Sequence, residues 1–286
     1  MKYAFIERES ANHQTSMLCD VLGVSRSGYY DWKDRPPSQR DIFTQQLLGQ
    51  IIHLHKVHKQ RYGSPRIHAA LVQQGVHVSR GCVERLMHKH QIAALRAKRH
   101  KRVYIQRQQQ KASPNVLDRD FKATAPNSKW VSDITFIPTR EGYLYLAIIL
   151  DIFSRAIVGW AMSHRINGDL VLDALDMAIE QRSQPKDVLV HSDQGSQYTA
   201  EAYRKKLNDH DMICSMSRKG ECHDNAVAES FFHTLKEELI RDENYASRKE
   251  ARQSIFKYIE LYYNRQRLHS FLGYEAPLKY ERMHAA

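Results

Sequence analysis

The spacing of hydrophobic positions predicts helices in two parts of the first 95 residues, within residues 14–34 and within residues 41–92. Residues 14–34 contain two short stretches of helical periodicity on either side of Gly23, and Ser25 can cap the second stretch. This is the form of a helix–turn–helix, in which one helix end approaches DNA, although many ordinary helical hairpins share it. We therefore expect residues 1–40 to form a small helical, helix–turn–helix-like segment.

A second and stronger helix–turn–helix pattern follows. A helix is predicted from Asp41 to about His58, and residues 61–92 predict two further helices separated by a glycine turn. Ser79 can cap the last of them. We expect a helical DNA-binding domain over residues 41–95. Its candidate DNA contacts are the arginines that flank the turn and the last helix: Arg61, Arg66, Arg80 and Arg85.

The hydrophobic pattern becomes strand-like near residue 125. Three apolar, β-rich segments follow one another with short turns between them, which favours an antiparallel meander. Helices then alternate with two short buried strands, up to a long helix predicted over residues 224–241. This order predicts an α/β core domain at residues 124–241, with a mixed five-stranded sheet and helices on both faces. A helical and aromatic extension over residues 242–286 begins with a helix over 246–264 and ends in a loop-rich stretch.

No hydrophobic run is long enough to cross a membrane, because a span needs ~20 apolar residues. The longest run, Tyr143 to Asp151, ends in a charge and is typical of a buried strand. The first ten residues lack the apolar core of a secretory signal. The four cysteines form no CxxC pair. We therefore expect a cytoplasmic protein with reduced thiols and no membrane partner.

The net charge of +11 is unevenly distributed. Residues 1–123 contain 22 basic and 9 acidic residues, whereas residues 124–240 contain 12 basic and 17 acidic residues. A basic first part joined to an acidic core indicates a polyanion-binding module attached to a metal-binding one. Solubility alone explains a one-sided excess of this size poorly.

Residues 96–123 form a basic linker, rich in glutamine and without a clear hydrophobic pattern. Such a segment could follow the phosphate backbone of DNA, and the alternative is a solvated linker with no partner. Its candidate contacts are Arg99, Lys101 and Arg102.

Three acidic residues occupy positions that favour chemistry. Asp133 lies within a β-rich segment, Asp193 follows a short apolar strand, and Glu229 lies within the predicted helix. Asp193 and Glu229 are separated by 35 residues. An aspartate in an apolar strand is costly unless it is paired or binds a metal. The alternative is three unrelated acids: a helix cap, a turn residue and a surface glutamate.

Three carboxylates gathered at one place repel one another and raise one another's pKa. Divalent cations such as Mg²⁺ or Mn²⁺ remove that repulsion, and carboxylate oxygens are their natural ligands. Two such ions ~3.5–4 Å apart can activate a water or a hydroxyl and stabilise the leaving oxygen in phosphodiester displacement. Asp133, Asp193 and Glu229 are therefore candidate metal ligands and catalytic residues.

Four segments carry a resemblance to a known superfamily. The catalytic core of DDE transposases and retroviral integrases is resembled by four segments: KWVSDITFIP, YLAIILDIFSRAIVGW, HSDQGSQY and DNAVAESFFHTLKEE. Within that superfamily, the sequence most resembles the insertion-sequence-three family of bacterial transposases. RYGSPRIHAAL resembles that family's helical domain, and YYNRQRLHSFLGYEAPLKYE resembles its C-terminal ending.

The resemblance implies a ribonuclease H-like catalytic core and the Mg²⁺-dependent cleavage and joining of DNA ends, with Mn²⁺ as a substitute and two ions in the site. It makes Asp133, Asp193 and Glu229 the metal-binding triad. It also implies that Lys236, two helical turns beyond Glu229 on the same helix face, contacts the element end. The implied partners are the double-stranded DNA of element ends and target, and further copies of the chain on that DNA. Additional candidate DNA contacts near the triad are Arg218, Lys219, Asn225 and Gln197. The alternative is a solvated loop charge for the first two and hydrogen bonding within a turn for the two amides.

The sequence departs from these relatives in two respects. The His-His-Cys-Cys zinc pattern of retroviral integrases is absent, and no sustained heptad repeat occurs near the start of the sequence. The insertion-sequence family commonly divides its transposase between two reading frames. This chain resembles the downstream, catalytic product, so we expect an upstream-frame protein or a frameshift fusion as a further partner.

Two other functions fit parts of the pattern. A structure-selective nuclease of the same fold would cut DNA without joining it, and the helical first part and the YYNRQRLHS segment argue against this. A non-catalytic DNA-binding regulator derived from a transposase would have lost a triad acid, and all three are present. A tyrosine recombinase is disfavoured because no arginine and histidine constellation surrounds a tyrosine.

Overall fold

The structure, a computed structural model, describes residues 1–95, 113–218 and 221–284. Four of the predicted DNA contacts lie outside the described residues: Arg99, Lys101, Arg102 and Lys219.

Three short helices form the first part of the chain: α1 (Lys2–Glu9), α2 (Thr15–Leu22) and α3 (Arg26–Lys33). Helices α2 and α3 confirm the predicted pair, and the Ser25 hydroxyl caps α3 by accepting a hydrogen bond from the Gly28 N–H. Helix α1, which buries a single residue, was not predicted. The three helices share a small hydrophobic core: Ile6, Leu18, Cys19 and Tyr29.

The second helical unit consists of α4 (Gln39–Val57), α5 (Ser64–Gln73) and α6 (Arg80–Lys89). The hydroxyls of Ser38 and Ser79 cap α4 and α6, as the sequence predicted for Ser79. This unit has its own core, which includes Leu47, Ile51, Ile67, Leu71 and Val83.

A five-stranded sheet of order β3-β2-β1-β4-β5 forms the centre of the molecule. Its strands are β1 (Lys129–Thr139), β2 (Gly142–Asp151), β3 (Ile157–Ser163), β4 (Leu189–Ser192) and β5 (Ile213–Met216). The first three strands form the predicted antiparallel meander, while β4 and β5 continue the sheet in parallel with β1. The mixed sheet of a ribonuclease H-like fold is thus confirmed.

Helices cover both faces of this sheet, because its central strands alternate buried side chains between two cores. On β2, Leu146 and Ile148 belong to one core, whereas Ala147 and Ile149 belong to the other. The first core is closed by α10 (Ala226–Glu238) and α11 (Arg248–Phe256), and the second by α7 (Gly168–Gln181) and α9 (Glu201–Asp209). A single turn, α8 (Ser196–Thr199), precedes α9. None of the helices within the described ranges is long and apolar enough to cross a membrane.

The helix predicted over residues 224–241 is shorter in the structure, where α10 begins at Ala226. Residues 222–225 instead form a 3₁₀ turn. The carboxylate of Asp224 and the amide of Asn225 bond to groups outside the helix, so the backbone there does not adopt the α-helical course.

The C-terminal part differs from its predicted structure in two places. The helix expected over residues 246–264 divides into α11 and a π-helical stretch, Lys257–Tyr263. A further helix, α12 (Pro277–His284), lies in the stretch that was expected to be loop-rich. Pro277 suits the first position of α12 because the missing N–H has no partner in a first turn.

Glu238, the last residue of α10, joins three parts of the chain. Its carboxylate accepts hydrogen bonds from Arg267 Nε at 3.0 Å and Nη2 at 2.8 Å and lies 3.5 Å from Arg66 Nη1. Its carbonyl accepts from Arg61 Nε at 2.9 Å, and Tyr258 donates to its Oε2 at 2.9 Å. These largely buried, charge-assisted bonds fix the second helical unit against the core domain.

The close packing of β3 on α7 yields a stability prediction. A Cβ at Gly159 would clash with the Ala174 carbonyl oxygen and lie 2.7 Å from the Ala178 Cβ. We expect Gly159→Ala to destabilise the protein by ~1–3 kcal/mol, since packed backbone must move. The matched control is Gly168→Ala, because a Cβ there meets no atom within 4 Å. Denaturant unfolding measures both, and equal midpoints would contradict the packing.

Candidate active site

Parallel pairing of β1 with β4 brings two of the predicted acids together. Val131 on β1 is in register with His191 on β4. Asp133 and Asp193 each lie two residues further along, so they lie next to one another where β4 ends. The carboxyl end of a strand is where α/β sheets commonly place functional groups.

The Asp193 carboxylate is held by the turn that follows β4. Its Oδ1 accepts a hydrogen bond from the Gly195 N–H at 2.8 Å. A Cβ at Gly195 would lie 2.9 Å from that oxygen, so a larger residue there would displace the carboxylate. On β1, Asp133 Oδ1 accepts from the adjacent Ile134 N–H at 2.8 Å.

Glu229 approaches the same place from the first turn of α10. The helix is fixed to the sheet by buried residues that neighbour Glu229 on one side, including Ala228 and Phe232. Glu229 itself stays partly exposed. The packing of α10 therefore aims the third predicted acid at the edge where β4 ends.

The three carboxylates share one electrostatic environment. Burial and the negative charges of Asp193 and Glu229 raise the pKa of Asp133 to about 8. The Ile134 N–H and the nearby Lys236 ammonium oppose that rise. The structure thus brings all three predicted acids, and the predicted lysine, within electrostatic reach of one another.

Lys236 lies two turns beyond Glu229 on α10, as the sequence predicted. Its Nζ lies 5.2 Å from the ring centroid of Phe136, which is 52% exposed on β1. A cation over an exposed aromatic ring is attracted to the ring face. Lys236 therefore lies at the rim of the candidate site, where it can contact a ligand.

The donor set suits a hard divalent cation, because all three side chains offer carboxylate oxygens. In the described part of the chain, no three acidic, histidine or cysteine side chains are arranged so that they already enclose a metal ion. Burial and nearby negative charge raise the pKa of Asp133, and a cation beside this carboxylate would lower the pKa again and so favour the ionised form. The chemistry of the residues therefore fits Mg²⁺ or Mn²⁺, and binding would require adjustment of the side chains.

Asp224 fixes the loop before α10, and the sequence pattern did not single it out. Its side chain has no exposed surface and accepts hydrogen bonds from the Arg218 N–H at 2.9 Å, Arg119 Nε at 2.7 Å and Asn115 Nδ2 at 2.9 Å. The bonds from Arg218, followed by Arg119, hold the pKa of Asp224 well below its usual range. Arg218, a predicted DNA contact, stays half-exposed while it makes this contact.

Two amides predicted to contact DNA belong to the framework of the site. Asn225 is 6% exposed, and its Nδ2 donates at 3.2 Å to the Ser132 carbonyl, next to Asp133. Gln197 is 8% exposed on α8. Both side chains therefore present little surface to DNA in this structure.

His191 lies behind Asp193 as a neutral side chain, and sequence reasoning did not identify it either. Its Nδ1 lies 2.9 Å from Ser215 Oγ and its Nε2 3.1 Å from Ser217 Oγ. Burial lowers the pKa of His191 to about 4. The Ser217 carbonyl accepts from Gln194 Nε2 at 3.0 Å, which ties the turn after β4 to the end of β5.

The four predicted arginines of the helical unit divide into two pairs. Arg61 is 9% exposed and stacks 4.5 Å from the ring centroid of Tyr262. Arg66 Nε donates to the Leu268 carbonyl at 3.0 Å. Both point toward the core domain and its extension. Arg80 and Arg85, in contrast, lie exposed on α6.

Comparison with known protein families identifies two kinds of domain. The model of the integrase core domain matches residues 123–222, and a second integrase core domain model matches residues 229–284. The model of an HTH-like domain matches residues 43–101.

Two curated relatives match over most of the chain. Transposase InsF for insertion sequence IS3A of Escherichia coli (strain K12) is 41% identical over 288 residues, which cover 100% of both chains. The transposase for insertion sequence element IS904 of Lactococcus lactis subsp. lactis (strain IL1403) is 43% identical over 248 residues, 87% of this chain and 98% of the relative. Among solved structures, the HTLV-2 integrase catalytic core domain in complex with magnesium covers 56% of this chain and 99% of its own, with 13% identity and a TM-score of 0.43.

The raised pKa of Asp133 predicts a pH-dependent stability. The folded protein keeps this group protonated up to about pH 8, whereas the unfolded chain releases the proton near the ordinary value of 3.8. The group therefore makes the free energy of unfolding fall as the pH rises between these values. Asp133→Asn should remove that slope and raise the melting temperature at about pH 8 by several degrees.

Asp173→Asn, on the exposed side of α7, is the matched control and should leave the pH slope unchanged. Melting curves recorded without divalent metal at several pH values measure both variants. If Asp133→Asn melts at or below the wild-type temperature at about pH 8, the ionisation of Asp133 does not destabilise the folded protein, and the prediction is wrong.

Proposed function

The chain belongs to the InsF family of insertion-sequence transposases, and from this premise we propose that Asp133, Asp193 and Glu229 form its catalytic centre. The protein is a DNA transposase of the DDE type, a polynucleotidyl transferase. The observation that carries the assignment is the convergence of the three carboxylates, which raises the pKa of Asp133.

In this proposal the three carboxylates hold two Mg²⁺ ions, with Mn²⁺ as a substitute. When bound, the ions activate the attacking oxygen and stabilise the leaving oxygen. Asp133 and Asp193 approach from adjacent strands and Glu229 from a packed helix, so the rigid sheet sets the spacing of the ligands. Lys236 lowers the pKa of Asp133 and so favours its ionised, ligating form.

The reaction is a pair of phosphoryl transfers at one site. In the first, a water oxygen attacks the phosphorus at the element end, and the 3′ oxygen leaves as a hydroxyl. In the second, that hydroxyl attacks a phosphodiester of the target DNA, and the displaced target oxygen leaves. Each step forms one P–O bond and breaks one, so no energy-supplying cosubstrate is needed. The rate depends on how well the side chains position the reacting groups.

The proposal assigns the DNA contacts to two surfaces. Near the triad these are Lys236 at the rim of the site and the half-exposed Arg218. On the helical unit these are Arg80 and Arg85, which are exposed on α6. Four further DNA contacts are proposed from their charge and position in the sequence alone: Lys219, Arg99, Lys101 and Arg102.

The partners follow from the reaction. Joining two element ends to one target requires several active sites on the same DNA, so we propose that copies of the chain assemble there. We also propose an upstream-frame protein or fusion as a source of end recognition. The protein would then act in the bacterial cytoplasm, at the nucleoid when bound to DNA.

Asp193→Asn should lower both cleavage and strand transfer by about 1,000-fold, since losing one ligand costs several kcal/mol of transition-state stabilisation. Asp209→Asn, an exposed aspartate at the end of α9, is the matched control and should keep wild-type activity. The assay uses labelled duplexes that carry the element ends, with Mg²⁺. If Asp193→Asn cleaves and joins DNA at wild-type rates, the triad assignment is wrong. If the wild-type protein cleaves DNA without joining it, a nuclease of the same fold is favoured.

Mg²⁺ binding should also be visible without DNA. A ligand that binds only the folded protein stabilises it by about 2.7 kcal/mol at a concentration of 100 times Kd. We expect Mg²⁺ to raise the melting temperature of the wild type and of Asp209→Asn by several degrees. Asp133→Asn and Glu229→Gln should lose most of that rise. Equal rises in all four proteins would place the bound metal elsewhere.

A further inference from the structure

A cleft of about 330 Å³ lies beside the candidate active site, on the other side of α10. One wall is the α10 surface that carries Ser230 and Thr234, and the opposite wall is the loop at residues 267–271. Ser230 directly follows Glu229, but on the helix the two side chains point about 100° apart. The volume falls at the lower end of the ~300–1,000 Å³ typical of small-ligand sites.

Three arginines from three parts of the chain converge on this cleft. Arg66 comes from α5, Arg155 from the turn between β2 and β3, and Arg267 from the segment after the π-helical stretch. No acidic side chain lines it among the described residues. The carboxylate that faces these arginines from behind the wall is Glu238, which bonds to Arg267 and lies 3.5 Å from Arg66. The Asp151 carboxylate also attracts Arg155, so three positive charges face two carboxylates, neither of which lines the cleft.

Arg155 is the member of this group whose charge is least compensated. Its side chain is nine-tenths buried, and within the described residues no carboxylate lies within salt-bridge distance of it, although Asp151 attracts it from further away. Its guanidinium lies 4.1 Å from the ring centroid of Phe271, which is 66% exposed at the mouth of the cleft. A buried, unpaired guanidinium is costly, and burial lowers the pKa of Arg155. An anion in the cleft would offset that cost.

The same three arginines also affect His269, which lines the cleft. Burial, together with Arg267, Arg66 and Arg155, lowers the pKa of His269 to about 2. The ring is therefore neutral, and its Nε2 accepts a hydrogen bond from Arg267 Nη1 at 3.0 Å. This leaves the Nδ1–H as a donor. Because Arg66 and Arg267 already bond to neighbouring groups, the cleft offers a phosphate chiefly the Arg155 guanidinium and side-chain hydroxyls such as those of Ser230 and Thr234.

We propose that this cleft binds a backbone phosphate of the DNA strand that passes the active site. The exposed Phe271 ring at its mouth provides a face on which a base can stack, which a site for a free inorganic anion does not need. The inference rests on DNA as the substrate but not on the assignment of the triad. A smaller neighbouring cleft of about 180 Å³ is a poorer candidate, because Glu237 and Glu238 line it.

Occupation of the cleft would also connect two domains. Arg66 belongs to the second helical unit, whereas Arg155 and Ser230 belong to the core domain. A phosphate held between them would add a bridge to the contacts that Glu238 already makes. DNA binding would thereby tighten the helical unit against α10, the helix that carries Glu229.

The first test compares two single-charge removals in the full chain. Affinity for a fluorescein-labelled duplex of mixed sequence is measured by anisotropy without divalent metal, so cleavage plays no part. Arg155→Gln should weaken binding roughly tenfold and reduce the slope of log affinity against log salt by about 1. Arg165→Gln, an exposed arginine after β3, should change neither by as much. Equal effects of the two variants would overturn the proposal.

The second test changes Ser230 on the opposite wall of the cleft. It applies even if Arg155→Gln does not fold. Ser230→Glu places a carboxylate among the arginines, whereas Ser230→Gln places an uncharged side chain of the same size there. We expect Ser230→Glu to melt higher than Ser230→Gln, because it neutralises the cluster, and to bind DNA roughly tenfold more weakly. If the two variants bind DNA equally well, the cleft does not hold a phosphate of DNA.

A third measurement separates DNA from a free anion as the occupant. Inorganic phosphate should raise the melting temperature of the wild type but not of Ser230→Glu, and it should compete with the labelled duplex. Protection by phosphate with unchanged DNA affinity in Ser230→Glu would show a free-anion site and reject DNA. The triad is tested by the cleavage rate of Asp193→Asn and the cleft by the DNA affinity of Arg155→Gln and Ser230→Glu without metal, so failure of the triad assignment and failure of the cleft are distinguishable.

Discussion

The structure depends on the close approach of acidic side chains where β4 ends. Parallel pairing of β1 with β4 fixes Asp133 next to Asp193, and α10 adds Glu229. Their mutual repulsion and the burial of Asp133 oppose folding, and both raise the pKa of Asp133. The surrounding hydrogen bonds hold the arrangement in place, with His191 behind one strand and Asn225 beside the other. A centre of this kind is stable only because the two cores on either side of the sheet fix the strands and α10.

Helix α10 connects this centre to the rest of the molecule. Glu229 and Lys236 lie on the side that faces the carboxylates, whereas Ser230 and Thr234 face the arginine-lined cleft. At its end, Glu238 bonds to the helical unit and to the C-terminal extension. One rigid element therefore carries the proposed chemistry, the proposed phosphate site and the connection between domains.

The hydrophobic pattern was sufficient for most elements and insufficient for two kinds of detail. The meander, α7 and the capped helices around Ser25 and Ser79 follow directly from periodicity and capping chemistry. The start of α10 was misplaced because Asp224 and Asn225 bond to residues remote in sequence. Helix α12 was missed because its sequence lacks a strong apolar face, and the structure packs its Leu278 against the second core.

The sequence by itself determined the acids, their order along the chain, the alternating pattern of the sheet and the excess of positive charge in the first part. These properties are local, or are sums over the chain. Only the tertiary structure decided which charges meet. It turned Arg61 and Arg66 toward the core and left Arg80 and Arg85 exposed, although all four look alike in the sequence. It also gathered Arg66, Arg155 and Arg267 around one cleft. Burial and electrostatic partnership depend on distances between residues that are remote along the chain, and no local pattern specifies them.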